Sequence, residues 1–138
     1  MAAVKELIRS EENGGISFGN HKLETKAKLE DYKHGGDLLK VKTYKEITKL
    51  EKNGGFLYES VPGTSVSDFV ESETEVKFTV EADEDAQITV GLMDDTDYEV
   101  FVGGESIGVM NTGLGGKLSL SVELAAADEV PVKIVRQQ

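Results

Sequence analysis

The sequence contains no cysteine and no tryptophan, and it has two histidines and two prolines among 138 residues. Without cysteine the chain forms no disulfide, and thiolate catalysis and zinc–thiolate sites are excluded. No segment approaches the roughly 20 apolar residues that a membrane helix needs. The start, Met1-Ala-Ala-Val-Lys5, meets charge too early for a signal peptide. These absences predict a cytoplasmic protein with no membrane partner.

Basic side chains are scarce in one half of the chain, and this shapes the net charge of −11. Residues 1–55 hold eleven basic and nine acidic side chains, whereas residues 56–138 hold four basic and seventeen acidic ones. An acidic half repels phosphate backbones, so a nucleic-acid partner is not expected. The surplus of acidic side chains in residues 56–138 either solvates the surface or complements the basic side chains of residues 1–55, within one chain or between copies.

Period-two alternation of apolar and polar residues dominates the sequence, as in Val76-Lys-Phe78-Thr-Val80 and Leu118-Ser-Leu120-Ser-Val122. Such alternation, broken by Gly, Asn and Asp, indicates half-buried antiparallel strands. The predicted C-terminal strands are 64–70, 74–82, 86–92, 97–102, 106–111, 117–124 and 129–136. Seven short strands in about 75 residues are typical of an immunoglobulin-like sandwich. The predicted fold is therefore an all-β, antiparallel, immunoglobulin-like β-sandwich at about 64–138.

The first 62 residues are predicted to add β-hairpins that pack on this sandwich or extend it. Two Asn-Gly pairs, Asn13-Gly14 and Asn53-Gly54, favour type I′ hairpin turns. The expected hairpins pair 4–12 with 15–19, and 41–52 with 55–61. Residues 22–31 fit a strand better than a helix, because Leu23, Thr25, Ala27 and Leu29 alternate. Pro62 and Gly63 mark a junction between a basic region, 1–62, and an acidic one, 63–138, which could also form one continuous domain.

The stretch from Leu92 to Val102 reads as a corner between two strands. A leucine ends one strand, a polar turn containing Thr96 follows, and Tyr98 opens a strand that alternates Tyr98, Val100 and Val102 on one face. The stretch resembles the tyrosine corner of immunoglobulin-like and fibronectin type III domains. The resemblance implies that Tyr98 is buried and that its hydroxyl bonds to the preceding turn.

Acidic clusters are the candidate metal ligands, because Ca²⁺ prefers carboxylate oxygens. They comprise Asp83, Asp85, Asp94, Asp95 and Asp97. Neither cluster has the spacing of a calcium loop. The strand between them, eight residues at about 3.3 Å each, would hold the clusters roughly 26 Å apart. His21 and His34 lie in loop contexts without metal-ligand spacing. No cofactor is predicted.

Three phrases carry a resemblance along the whole chain: Lys42-Thr-Tyr44-Lys-Glu-Ile47-Thr-Lys-Leu50-Glu, Glu59-Ser-Val-Pro62-Gly63-Thr and Gly115-Gly-Lys-Leu-Ser-Leu-Ser-Val. In these three sequence segments the chain resembles short, uncharacterised bacterial all-β proteins that carry the label endosialidase. The resemblance implies a glycoside hydrolase of endosialidase type.

The residues themselves favour a non-catalytic binding or assembly module that forms a homo-oligomer. Sialidases grip a sugar carboxylate with clustered arginines, whereas the two arginines here, Arg9 and Arg136, lie near opposite termini. The alternative is a carbohydrate-active protein, either a glycan-binding accessory or an endosialidase-type hydrolase. Because sugar faces stack on aromatic rings and tryptophan is absent, glycan stacking would fall to Tyr32, Tyr44 and Tyr58.

Overall fold

The computed structural model describes residues 3–125 and 129–137. Within these residues the chain forms strands and turns, and it has no helix that could cross a membrane. The described strands are β1 (Ile8–Ser10), β2 (Ile16–Phe18), β3 (Ala27–His34), β4 (Asp37–Tyr44), β5 (Ile47–Lys52), β6 (Gly55–Val61), β7 (Ser65–Glu71), β8 (Glu75–Glu81), β9 (Ala86–Gly91), β10 (Asp97–Val102), β11 (Glu105–Asn111), β12 (Lys117–Val122) and β13 (Val130–Arg136).

The strands form two antiparallel sheets packed as a sandwich. The seven-stranded sheet has the order β1-β2-β7-β8-β13-β10-β11, and the six-stranded sheet has the order β12-β9-β6-β5-β4-β3. Alternate residues of most central strands face the partner sheet and are buried, as Val76, Phe78 and Val80 are in β8. The predicted all-β, antiparallel sandwich is confirmed.

The seven strands predicted after residue 64 match β7 to β13 closely, whereas the N-terminal strands differ from prediction. The predicted strand 41–52 is divided, because Tyr44 pairs with Ile47 and leaves a two-residue turn between β4 and β5. The predicted strand 22–31 begins at Ala27. Its first residues instead form a loop, in which the Leu23 carbonyl accepts a hydrogen bond from Lys45 N.

The two Asn-Gly pairs form different turns. Asn53 (φ 52°) and Gly54 (φ 83°) both have positive φ, so the predicted tight turn between β5 and β6 is confirmed. At the first pair only Gly14 has positive φ. There the Asn13 side chain accepts a hydrogen bond from Gly15 N at 2.9 Å, and five residues connect β1 to β2. A side-chain bond to the backbone therefore replaces the two-residue turn.

Both sheets combine strands from the predicted regions 1–62 and 63–138. In the seven-stranded sheet β2 pairs with β7, and in the six-stranded sheet β6 pairs with β9.

An aromatic cluster joins the two sheets inside the core. The rings of Phe18 and Tyr58 are 5.1 Å apart, and those of Tyr58 and Phe78 are 5.7 Å apart, both edge to face. Phe69 stacks on Phe78 at 5.5 Å.

A buried network of hydroxyl groups surrounds the junction between β6 and β7, where the chain passes from one sheet to the other. Thr64 Oγ1 shares 2.8 Å hydrogen bonds with the Tyr58 and Ser60 hydroxyls. Thr48 Oγ1 donates to the Thr64 carbonyl at 2.7 Å and accepts from Thr64 N at 3.0 Å. These side chains are fully buried. Because buried polar groups are costly when unpaired, the network specifies one geometry for the junction.

Candidate functional site

Tyr98 lies where the tyrosine-corner resemblance places it. It is 3% exposed, and its hydroxyl accepts a hydrogen bond from Met93 N at 3.3 Å. Thr96 supports the same turn, because its hydroxyl donates to the Asp94 carbonyl at 2.8 Å. Leu92 N donates to the Gly116 carbonyl at 2.6 Å, which ties the turn to the loop before β12. The corner thus fixes the connection between the two sheets.

Tyr98→Phe is expected to lower the free energy of unfolding by about 1 kcal/mol, because Met93 N loses its acceptor in a partly buried turn. Urea unfolding measures this change. Tyr44→Phe is the matched control, since the Tyr44 hydroxyl makes only an exposed 3.4 Å contact with Glu46. An equal effect of the two substitutions would contradict a special role for the corner.

The candidate calcium ligands are separated, and most of them already contact the protein. Asp83 and Asp85 precede β9, whereas Asp94, Asp95 and Asp97 follow it, so the clusters lie at opposite ends of that strand. Asp85 accepts from Leu124 N at 2.8 Å and from Ala125 N at 2.9 Å, and these bonds lower its pKa. Among the described residues no group of three or more His, Cys, Asp or Glu side chains is arranged to hold a metal ion.

The three tyrosines do not form a common stacking surface. Tyr58 is fully buried in the core, where burial raises its pKa, so its predicted role in glycan stacking is wrong. Tyr32 is half-buried against the core, and its hydroxyl contacts Ser10 Oγ at 2.9 Å. Tyr44 lies on the outer face of β4, with Lys26 Nζ 5.9 Å from its ring centroid. Tyr32 and Tyr44 therefore belong to different surfaces.

His21, Ser65 and Asp83 form a constellation that the sequence reading missed. His21 Nδ1 lies 2.7 Å from Ser65 Oγ, and its Nε2 lies 3.7 Å from Asp83 Oδ1. A serine, a histidine and a carboxylate in series are the components of a nucleophilic triad. Here Ser65 is 3% exposed and its Oγ also accepts from His21 N at 3.2 Å. The buried serine cannot meet a substrate, so this arrangement holds the loop after β2 against β7.

Stability is expected to fall on mild acidification because of His21. Burial lowers its pKa, an effect that Asp83 opposes and Lys22 reinforces. Below the ordinary pKa of about 6.5 the unfolded chain binds a proton that the folded chain does not, so the free energy of unfolding declines as pH falls from about 7 toward 5. Urea unfolding across this range should show the decline, and His21→Asn should flatten it. An unchanged slope in the variant would contradict the assignment.

A row of lysines crosses three adjacent strands on the outer face of the six-stranded sheet. Lys28 on β3 lies directly opposite Lys42 on β4, and Lys42 lies directly opposite Lys49 on β5. The sequence places each lysine between inward residues, as Lys42 lies between Val41 and Thr43. We call Lys28, Lys42 and Lys49 the lysine row.

The lysine row is only partly neutralised, although Lys49 lies directly opposite Glu59 on β6. Within the described residues, Lys28 and Lys49 reach Glu30 and Glu51 only at 3.8 Å, and Lys42 has no carboxylate within 4.0 Å. Like charges directly opposite on neighbouring strands destabilise the pairing. A carboxylate brought to this face by a partner would relieve that repulsion.

Three carboxylates without an ion-pair partner lie at one end of the sandwich. The β7–β8 turn and the β9–β10 loop meet there around a recess of about 510 Å³ lined by Glu71, Glu73, Glu75 and Arg136. Glu71 is paired with Lys52 at 2.6 Å. Within the described part of the chain, Glu73, Glu75 and Asp94 have no basic nitrogen within 4.0 Å. We call Glu73, Glu75 and Asp94 the acidic end.

Comparisons of the chain with protein-family models, with curated proteins and with solved structures found no significant match.

Part of the lysine row was visible in the sequence. Alternation of Lys40 and Lys42 with Leu39 and Val41 predicts one basic face on a single strand. Its extension over three strands depends on register, which sequence alternation does not specify.

Proposed function

We propose that this chain is a non-catalytic β-sandwich module that assembles with further copies of itself. The observation that carries the proposal is the lysine row: three cations in direct register, of which the central one has no carboxylate within 4.0 Å among the described residues. Each copy also carries the acidic end, so one molecule supplies both halves of a complementary contact. The buried serine beside His21 supports a role without catalysis.

The proposed contact places the acidic end of one copy on the lysine row of the next. Two different surfaces then meet, which makes the contact heterologous and allows a ring or an open chain of copies. The net charge of −11 disfavours contacts between like acidic surfaces and leaves the lysine row as the favourable target. Exposed ion pairs are individually weak, so several must act together.

Sedimentation at low salt is expected to show a homo-oligomer that dissociates in about 1 M NaCl. The reason is that the Debye length falls from about 10 Å at about 0.1 M salt to about 3 Å at about 1 M. Lys42→Glu should weaken this association, because it places a carboxylate at the centre of the row. Lys5→Glu is the matched control, since it changes the net charge equally at an exposed position outside the row. A 15.0 kDa monomer at both salt concentrations would overturn the proposal.

A charge exchange tests the two surfaces together. Glu73→Lys should also weaken association, because it removes a carboxylate from the acidic end. Combining Lys42→Glu and Glu73→Lys in one chain should restore self-association, since the lysine introduced at the acidic end of one copy can meet the carboxylate introduced in the row of the next. The chain that combines Lys5→Glu with Glu73→Lys is the control and should stay as weakly associated as Glu73→Lys alone. Equal restoration by both combinations would show that total charge, rather than these surfaces, controls association.

A further inference from the structure

Ser10 and His34 form a second serine–histidine pair, on the side of the sandwich where β1 contacts β3. Ser10 Oγ is 2.8 Å from His34 Nδ1 and 2.9 Å from the Tyr32 hydroxyl. His34 Nε2 is 3.0 Å from the Gly14 carbonyl oxygen. Ser10 is exposed and His34 is half-buried. This pair therefore differs from the buried pair after β2, because its serine can meet another molecule.

The Gly14 carbonyl fixes where the protons of this pair lie. A carbonyl oxygen only accepts, so His34 Nε2 carries the hydrogen and donates it. In the neutral ring Nδ1 then accepts, and the Ser10 hydroxyl is its donor. Ser10 Oγ is left to accept from the Tyr32 hydroxyl. The serine and the histidine are thus held as a nucleophile and its general base, with a carbonyl in place of the acid that orients the imidazole in a triad.

A cavity of about 490 Å³ opens between the two sheets beside this pair, and His34 and Gly14 form part of its wall. The apolar part of the wall consists of buried core side chains from both sheets: Ile16, Leu39, Leu57 and Phe69. An apolar wall with a few polar groups is the usual composition of a small-molecule site. Because His34 contacts both Ser10 and the cavity, a group bound to Ser10 Oγ can place an apolar chain inside it.

The charged groups of the cavity select against an anionic ligand. Asp37, Glu71 and Glu73 line it together with one lysine, Lys52. Lys52 Nζ already binds Glu71 at 2.6 Å and lies 4.0 Å from Asp37. A free fatty acid is therefore repelled by the surplus of negative charge. A neutral ester with an aliphatic acyl chain fits both this charge and the apolar wall.

We propose that Ser10 is an acylation site, which accepts an aliphatic acyl group from an activated ester with His34 as general base. Ser10 Oγ bonds to the carbonyl carbon while His34 Nδ1 takes the Oγ proton. The bond from that carbon to the leaving oxygen breaks, and His34 passes the proton to this oxygen. The products are an acyl-serine, whose chain lies in the cavity, and an alcohol. The transfer ends on the chain itself, so it modifies the assembly module proposed above and goes beyond that function.

The probe that tests this site is an octyl fluorophosphonate, in which phosphorus takes the place of the acyl carbon and fluoride is the leaving group. Intact mass and peptide mapping should show a single adduct, at Ser10. Ser10→Ala should abolish it, and His34→Gln should slow it about 100-fold or more, because the general base is lost. Ser106→Ala is the matched control, since the exposed Ser106 hydroxyl donates to Glu99 at 2.7 Å and has no histidine partner. It should label at the rate of the unaltered chain.

The length of the alkyl chain tests the role of the cavity. An ethyl fluorophosphonate should react at least about tenfold more slowly than the octyl probe, because burial of about two methylene groups accounts for a factor of that size. Thermal unfolding checks that each variant is folded. The absence of an adduct at Ser10, an undiminished rate in the His34→Gln variant, or equal rates for the two probes would overturn the proposal.

Discussion

Replacing Gly63 by alanine is expected to destabilise the fold by about 4 kcal/mol or more, a size seen when backbone must move in a packed core. A Cβ at this position would overlap the carbonyl oxygen of Tyr44 and also meet the Tyr44 and Lys45 carbonyl carbons at 3.1 and 3.3 Å. Gly63 N donates to the Lys45 carbonyl at 3.0 Å, so the two backbones are held together. Neither segment can withdraw without losing that bond.

Urea unfolding with linear extrapolation measures the loss. Gly115→Ala is the control, since an added Cβ there has no atom within 4 Å. The control should change stability by less than about 0.5 kcal/mol. A Gly63→Ala protein as stable as the control would show that the junction between β6 and β7 can relax.

Thr64→Val is expected to be the second most damaging substitution, at about 2–4 kcal/mol. Valine has the shape of threonine but no hydroxyl, so the Tyr58 and Ser60 hydroxyls lose a partner at 2.8 Å each. Both residues are fully buried, and an unsatisfied buried group costs about 1–3 kcal/mol. The hydrogen bonds between the Thr48 hydroxyl and the backbone N–H and carbonyl of Thr64 remain in the variant.

Thr64→Ser separates the hydroxyl from the methyl group at the same position. Serine keeps the partner of Tyr58 and Ser60 and loses one methyl, so its cost should be near 1 kcal/mol. If Thr64→Ser were as damaging as Thr64→Val, packing of the methyl rather than the hydroxyl network would hold the junction. Urea unfolding at neutral pH compares the two variants.

Local chemistry in the sequence determined the strands after residue 64, the turn at Asn53-Gly54 and the inward face of β10. Period-two alternation assigns a side chain to one face of its own strand, and a turn depends on the φ angles of a few residues. Such features need no distant partner. The all-β sandwich follows from them, because seven alternating strands must bury their apolar faces against another sheet.

Only the tertiary structure decided which strands meet. The insertion of β6 beside β9 buries Tyr58 among Phe18, Phe69 and Phe78, whereas the sequence predicted a tyrosine available for glycan stacking. The contact between His21 and Ser65 joins residues 44 positions apart. Sequence alternation is satisfied by many pairings, and the choice among them is made by packing in the assembled core.

The rows of opposed lysines on the two outer faces also depend on register. The sequence places Lys42, Lys77 and Lys133 on the outer faces of their strands. It does not place Lys28 and Lys49 beside Lys42, or Lys77 beside Lys133. A shift of one residue in a strand turns its side chains to the opposite face, so these rows exist only in the observed pairing. The charge of each side chain is set by the sequence, whereas its neighbours are set by hydrogen bonds between distant strands.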